Sequence, residues 1–311
     1  NHGPRRPRQH RARMRLALAA LLLRGVLAAG GTAAAAELPR AIWLLWFQGW
    51  EAAPALVRRC RQSWELFNPG WEVRAIARKD LPDILGHLFP SYDQLAATLR
   101  RAANPDAAEA DVLRLVLLGA FGGVWVDATM LCRRPLDEWL HQALAPSGFF
   151  AFSPETGDDP EPLPVMSSFL AAQPVHALVT SWLQASWEYC STVAEAEAGT
   201  ADEEYFWLHR VFGATVVAAP SENVASDAWR RTPRISAEYG VPGPHLFVPY
   251  ADHLWPRCSE RLRDAIRGDW QTPMWKLTIH GPSPAEAADD SCLRLALEAT
   301  RMASEAHAAK T

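Results

Sequence analysis

Ala110-Asp111-Val112-Leu113-Arg114, followed by Gly122-Gly123-Val124-Trp125-Val126-Asp127-Ala128-Thr129, is the stretch that decides the fold. Upstream of it, Asn104-Pro105-Asp106 marks a helix start, with a polar cap and then proline in the first turn. Ala107 to Phe121 is the helix, and the glycine pair ends it. Val124-Trp125-Val126 then reads as a buried strand with Asp127 at its C-terminal end, where open α/β sheets bind ligands. Asp111 and Arg114, three residues apart, share one helix face. An exposed pair of that kind contributes only about 0.3–0.5 kcal/mol. Here Val112, Leu113 and Leu115 to Leu118 make the helix apolar, so the pair needs partners, and an opening cleft supplies them. The glycine pair also permits close approach of backbone or ligand.

Outward from that stretch, the order of elements is α/β. Ala41 to Phe47 (AIWLLWF) is a solidly apolar strand. Ala53 to Phe67 carries Leu56, Val57, Cys60, Trp64 and Phe67 at helical spacing, Asn68-Pro69-Gly70 turns, and Trp71 to Ile76 alternates as a second strand. This β-α-β start predicts a right-handed crossover and a parallel sheet. Asp80 to Arg101 holds one or two helices around Pro90, and Gly148 to Phe152, Val165 to Ala171 and Met274 to Ile279 are further strand candidates. Pro174 to Ala198 and Asp202 to Phe212 look helical; Pro220 to Pro273 shows little period. The expectation from this pattern is a single α/β domain with a parallel sheet over residues 38–283. A polar, peripheral helix follows over 284–311.

Composition removes several function classes. The chain has 31 basic and 35 acidic residues, net −4. Seven arginines fall in residues 1–24, and no acid precedes Glu37; without them the rest carries 24 basic against 35 acidic residues, −11. The folded part is therefore no candidate for wrapping nucleic acid. At 49% hydrophobic content the chain is not disordered along its length. No clean apolar run of about 18 residues marks a polytopic membrane protein. Residues 1–37 are a separate object. Their basic flank, apolar Leu16 to Leu23 and small-residue run resemble a signal peptide or signal anchor, while Arg24 interrupts the span; the other reading is an uninformative leader. Membrane association is expected through this segment only. The chain is secretory or membrane-anchored if the leader is real, and cytoplasmic otherwise. The five cysteines (60, 132, 190, 258 and 292) are scattered, without zinc-like spacing, and read mostly as buried thiols with at most one or two bridges.

The order A-D-x-x-R then G-G-V-W-V-D-A-T resembles the sugar-donor region of GT-A-type glycosyltransferases. More narrowly, it resembles the capsular polysaccharide synthesis proteins related to α-mannosyl and toxin-type glucosyl transferases. Ile42-Trp43, Trp46 to Gly49, Pro54, Cys60, Ser63-Trp64 and Asn68-Pro69 extend the resemblance. So do Phe150 to Ser153, Phe169 to Pro174, Tyr205-Phe206 with His209 and Phe212, and Lys276 to Thr278. It spans about residues 38–280.

The resemblance implies a GT-A fold, with a Rossmann-like mixed, mostly parallel sheet flanked by helices, and transfer of a hexose from a nucleotide sugar (UDP- or GDP-hexose) to a glycan hydroxyl, with retention of anomeric configuration. No side chain stands out as a covalent nucleophile. By resemblance, Asp111 and Arg114 hold donor hydroxyls, and Arg114 also nears the phosphate. Asp127 matches the first acid of the family's D-x-D motif, where Mn²⁺ or Mg²⁺ would neutralise the leaving diphosphate. The second acid of that motif is Thr129 here, an uncharged and far weaker ligand. Either metal is held through Asp127 with help elsewhere, or Lys276 and Arg114 replace part of its charge. Trp46 and Phe47 either stack the base or sit in the core; Gln48, Gly49, Gly122 and Gly123 fall on the donor side. Lys276 is either a diphosphate contact or a solvent-facing lysine, and His280 a metal or phosphate ligand or a plain strand end. Glu204-Tyr205 faces the acceptor side, or Glu204 is a helix-start acid. Ser167-Ser168 replaces the Asn-Trp of relatives. Of the 14 tryptophans, 43, 64, 71, 125, 139, 182 and 187 fall on core positions, and 46, 50, 207, 255 and 275 are cleft candidates. The rival reading is a non-catalytic nucleotide-sugar- or carbohydrate-binding protein on the same fold.

Overall fold

The computed structural model describes residues 37–100, 104–153, 164–195, 206–235, 243–268 and 272–309. The leader up to residue 36, and Glu204 and Tyr205, lie outside the described residues. The strands are β1 (Ala41–Leu45), β2 (Glu72–Ile76), β3 (Gly123–Val126), β4 (Met130–Cys132), β5 (Phe149–Ala151), β6 (Phe169–Ala172) and β7 (Met274–Lys276). The longer helices are α1 (Ala55–Phe67), α2 (Phe89–Leu99), α3 (Pro105–Phe121), α4 (Ala177–Glu195), α5 (Trp207–Phe212), α6 (Val224–Arg231), α7 (Glu260–Gly268) and α8 (Cys292–Ala308).

Five strands form the central sheet in the order β2-β1-β3-β6-β5. β1 pairs in parallel with β2 and β3, while β6 runs antiparallel to both β3 and β5. Only β6 therefore runs against the other four. The parallel β1–β2 pair is what the β-α-β opening predicts, and the mixed, mostly parallel sheet flanked by helices is what the resemblance implies. β1 is buried along its whole length, as a strand covered on both faces must be. Its side chains alternate between two cores: Ala41, Trp43 and Leu45 face one, Ile42 and Leu44 the other. On the first face α2, α3 and α4 pack; on the second, α1 lays down Val57, Trp64 and Phe67. The predicted stripe on α1 is the buried one: Leu56, Val57, Cys60, Trp64 and Phe67.

β4 and β7 form a separate antiparallel pair, with Met130 opposite Lys276. β3 and β4 are joined by a tight turn in which Met130 N–H donates to the Asp127 carbonyl at 2.9 Å. The last of the described strands, β7, thus comes back beside the carboxylate that closes β3.

Three local expectations shift. β6 begins at Phe169 rather than Val165, and β7 ends at Lys276 rather than Ile279. The C-terminal helix begins at Cys292, not Pro284, because Ser291 caps it by accepting from Arg294 N–H. It buries Leu293, Ala296 and Leu297 in a third apolar cluster with Leu262 and Trp275, so it is not simply a polar cover. A disulfide joins its first residue, Cys292, to Cys258; Cys60, Cys132 and Cys190 are buried free thiols. Among the described residues no helix is long and apolar enough to cross a membrane.

Candidate functional site

Asp127 stands where β3 ends. Its backbone N–H donates to Ser168 O at 2.9 Å, so β6 holds it from the neighbouring strand. Its side chain is surrounded by donors. Lys276 Nζ lies 2.7 Å from Oδ2, Trp125 Nε1 donates to Oδ1 at 3.0 Å, and Arg114 Nη2 is 3.5 Å from Oδ1. Arg114 reaches this point from α3, where it is only 5% exposed. Its Nη2 also binds Asp111 Oδ1 at 2.9 Å, and its Nη1 donates to Ser167 O at 2.9 Å. The guanidinium sits 5.4 Å from the Trp125 ring centroid. Arg114 Nε is buried without a partner. Two carboxylates and two cations, from α3, the end of β3 and β7, therefore meet in one network.

The electrostatics differ for the two acids. Burial pushes Asp111 up to about 6, further raised by Asp127 and opposed by Arg114 and a hydrogen bond from Trp207. Burial acts on Asp127 too, but the Lys276 ammonium and the Arg114 guanidinium outweigh it and hold Asp127 below the usual carboxylate range. Asp127 thus stays ionised, while Asp111 sits near its protonation threshold.

Two histidines join the cluster. Burial lowers His209 to about 4, with Arg114 pressing the same way, and leaves its Nδ1 without a partner. His245 is also lowered to about 4, by burial and then by Lys276. Lys276 N–H donates to Pro244 O at 2.7 Å, which brings the His245 segment to the site. His209 is one of the residues of the family resemblance, but nothing in its surroundings singles it out as polar and buried. His245 falls in the Pro- and Trp-rich stretch without period, and no spacing rule points to it.

The other expected residues divide. Trp207 meets Asp111. Phe47 lies under Arg78, whose Cζ is 4.1 Å from the ring centroid, and Gln48 Nε2 donates to Asp106 Oδ2 at 2.7 Å. Gln48 thus touches the first turn of α3, one to two turns before Asp111, and Phe47 is linked to the same turn through Arg78, which pairs with Asp106. Trp46 is half-buried against the second core, and Gly49, at φ 93°, starts the turn after it. Trp50 and Trp275 are core, not cleft: Trp50 Nε1 donates to Ile76 O, and Trp275 is fully buried beneath Arg133. Trp255 packs against Gly281.

Gly122 and Gly123 are not at the site. They sit at the opposite end of β3 from Asp127, with φ 64° and 95°. A Cβ on Gly123 would lie 2.6 Å from Ala41 O, and one on Gly122 2.7 Å from Pro174 N. Their freedom serves close packing of backbone on backbone, not of backbone on ligand.

A divalent cation at Asp127 would bind its carboxylate oxygens. Each already accepts one donor, Oδ2 from the Lys276 ammonium and Oδ1 from Trp125, so a cation there would sit beside a like charge. Thr129 offers a hydroxyl in place of a second carboxylate, and its carbonyl accepts from Leu277 N–H. His280 is exposed. Among the described residues no three His, Cys, Asp or Glu side chains gather as ligands. This donor set does not fit a divalent cation.

Comparison with known proteins adds a family. The chain is similar to glycosyltransferase afumC of Aspergillus fumigatus, 29% identical over 153 residues, or 46% of this chain and 38% of that one. It is similar to the initiation-specific alpha-1,6-mannosyltransferase of Candida albicans, 27% identical over 104 residues, or 33% of this chain and 27% of that one. The matches thus span well under half the length of these relatives. Among solved structures, the PaToxG glycosyltransferase aligns with a TM-score of 0.41 at 12% identity, over 71% of this chain and 87% of that chain. The family model for capsular polysaccharide synthesis proteins matches residues 32–278. That span takes in β1 through β7 and with them Asp111, Arg114, Asp127 and Lys276, and over it the chain belongs to the capsular polysaccharide synthesis protein family.

Proposed function

We propose that this chain is a glycosyltransferase that moves a hexose from a UDP- or GDP-sugar to a hydroxyl of a glycan or polysaccharide, with retention at the anomeric carbon. The observation that carries this is the Asp111–Arg114–Asp127–Lys276 network at the C-terminal end of β3, in a member of this family. Three of its members come from the two motifs on which the resemblance rests.

The assignment of roles follows the chemistry of each group. Cleaving a nucleotide sugar leaves a diphosphate whose charge grows as the glycosidic bond breaks, and fixed cations lower that barrier most where water is excluded. Arg114 and Lys276 are those cations. Each has N–H groups beyond the ones used on Asp127 and Asp111. Asp111 accepts from the hexose hydroxyls, and Asp127 keeps Lys276 and Arg114 aimed at one point. His209 Nδ1, buried without a partner, is a ready acceptor or donor for another hydroxyl. Phe47 and Gln48 take the nucleoside side, and Glu204 and Tyr205 the acceptor side. Orientation of donor and acceptor then removes much of the entropic barrier.

Nucleotide release from a panel of UDP- and GDP-hexoses tests this. Turnover that falls in Asp127→Ala and Asp111→Ala, with anomeric retention by NMR of the product, is the expected result. Donor binding without turnover across the panel would leave only a binding protein on this fold.

A further inference from the structure

The metal expected at Asp127 and the residues found there disagree, and the disagreement points to a different source of charge. We propose that Lys276, with Arg114, takes the place of the divalent cation, so that transfer by this chain proceeds without a metal ion. The proposal rests on the transferase reading above.

Four observations carry it. First, Lys276 Nζ lies 2.7 Å from Asp127 Oδ2, one of the two oxygens a cation at this carboxylate would have to share. A metal at its own 2.0–2.6 Å from that oxygen would crowd a like charge. Second, the site's charge is already cancelled. Asp111 and Asp127 face Arg114 and Lys276. A D-x-D site of two acids without a lysine is strongly negative and draws a cation; with Thr129 in the second place and Lys276 opposite, that pull is gone. Third, Lys276 is held in place. It is the last residue of β7, paired with Met130 of β4, and its backbone N–H is bonded to Pro244 O. Its side chain is 21% exposed, so it is not a solvated surface lysine. Fourth, both cations keep donors for an anion: Lys276 has further ammonium N–H groups, and Arg114 Nε is buried with no partner. A diphosphate could thus be received without breaking the pairs to Asp127.

The test uses the full chain, stripped with EDTA and desalted. Binding of Mn²⁺ alone is read from the free-ion EPR signal, and turnover of the donor panel is read in EDTA and in Mn²⁺. The proposal expects no loss of free Mn²⁺ signal on adding protein, and turnover in EDTA within about twofold of that in Mn²⁺. It also expects Lys276→Met to lower kcat by about 10²-fold or more, with Lys276→Arg recovering part of it; thermal melts check that both variants fold. Stoichiometric Mn²⁺ binding that disappears in Asp127→Asn, with turnover abolished by EDTA and restored by Mn²⁺, would overturn it. If no donor turns over with or without metal, the transferase reading falls instead. The Mn²⁺ titration then still decides the site: tight binding refutes the proposal, and no binding upholds the exclusion of the cation.

Discussion

Arg114 Nη2 and Asp111 Oδ1 meet at 2.9 Å inside the fold, with 6% and 13% of their side chains exposed. Each is the main compensation for the other's charge. Removing one partner of a buried pair leaves the other uncompensated, which typically costs about 3–5 kcal/mol. Arg114→Ala should therefore unfold at markedly lower urea concentration than the parent, and Asp111→Ala, with Arg114 still held by Asp127 and Ser167 O, should lose less. Equal losses in the two variants, measured by urea titration, would contradict the view that Arg114 is the hub.

The raised Asp111 carboxyl sets a pH window. Asp111 must be ionised to accept hydroxyls and to hold Arg114, so kcat/KM should fall as pH drops through about 6, and Asp111→Asn should lack that limb. Stability runs the other way for this group. Because the fold raises its pKa from 3.8, the contribution is fully present below that value and lost as pH rises through about 6. Asp127 has the opposite sign: its pKa is lowered, so its contribution is present above 3.8 and lost as pH falls below. A pH–rate profile alongside pH-dependent urea midpoints separates the two.

Glu109, fully buried near the start of α3, receives Arg78 Nη1 on both oxygens at 2.7 and 2.6 Å and the Tyr92 hydroxyl at 2.8 Å. Arg78 in turn covers Phe47 and pairs with Asp106 at 3.0 Å. Glu109→Ala should cost about 2 kcal/mol, since it leaves the buried Tyr92 hydroxyl unpaired while Arg78 and Arg100 keep access to solvent, and Tyr92→Phe about 1 kcal/mol. If Phe47 and Gln48 hold the nucleoside, a folded Glu109→Gln should raise the donor KM more than it lowers kcat. Steady-state kinetics on that variant, with the melting temperature as control, read this out.

The Cys258–Cys292 disulfide closes a loop with a sequence separation of 34 residues. In the chain-entropy account such a bridge stabilises by about 4 kcal/mol. Reduction, or Cys292→Ser, should lower the urea midpoint by that order without changing donor KM. A large KM change on reduction would mean that the bridge also sets the position of β7.

The core was legible because it is written in local pattern. The all-apolar β1, the striped α1, and the α3–glycine–β3 run each fix their partners by periodicity alone, and they also place Asp111, Arg114 and Asp127. What the pattern missed is long-range. The pattern leaves Lys276 open between a diphosphate contact and a solvent-facing lysine until its Nζ meets Asp127, and His245 is invisible until Pro244 bonds to Lys276. Trp50 and Trp275 show the converse, because an aromatic near motif residues carries no mark of which way its ring turns. The glycines were noticed for the right reason, close approach, but what approaches them is Ala41 O and Pro174 rather than a ligand. The rise of Asp111 to about 6 depends on three-dimensional burial and has no signature in spacing.

Lys276 and Asp127 are 149 residues apart in the chain. The central sheet needs nothing beyond β6, so most of the scaffold can form while the chain is still being made, but the charge pair closes only when the seventh strand arrives. Non-local contacts of this span form late. Until then the site holds Asp111, Arg114 and Asp127, one negative charge in excess, with no ammonium on Asp127 Oδ2. The site's neutrality therefore reports that the seventh strand is in place: a fragment ending before Met274 would carry both motifs yet lack the lysine that neutralises them.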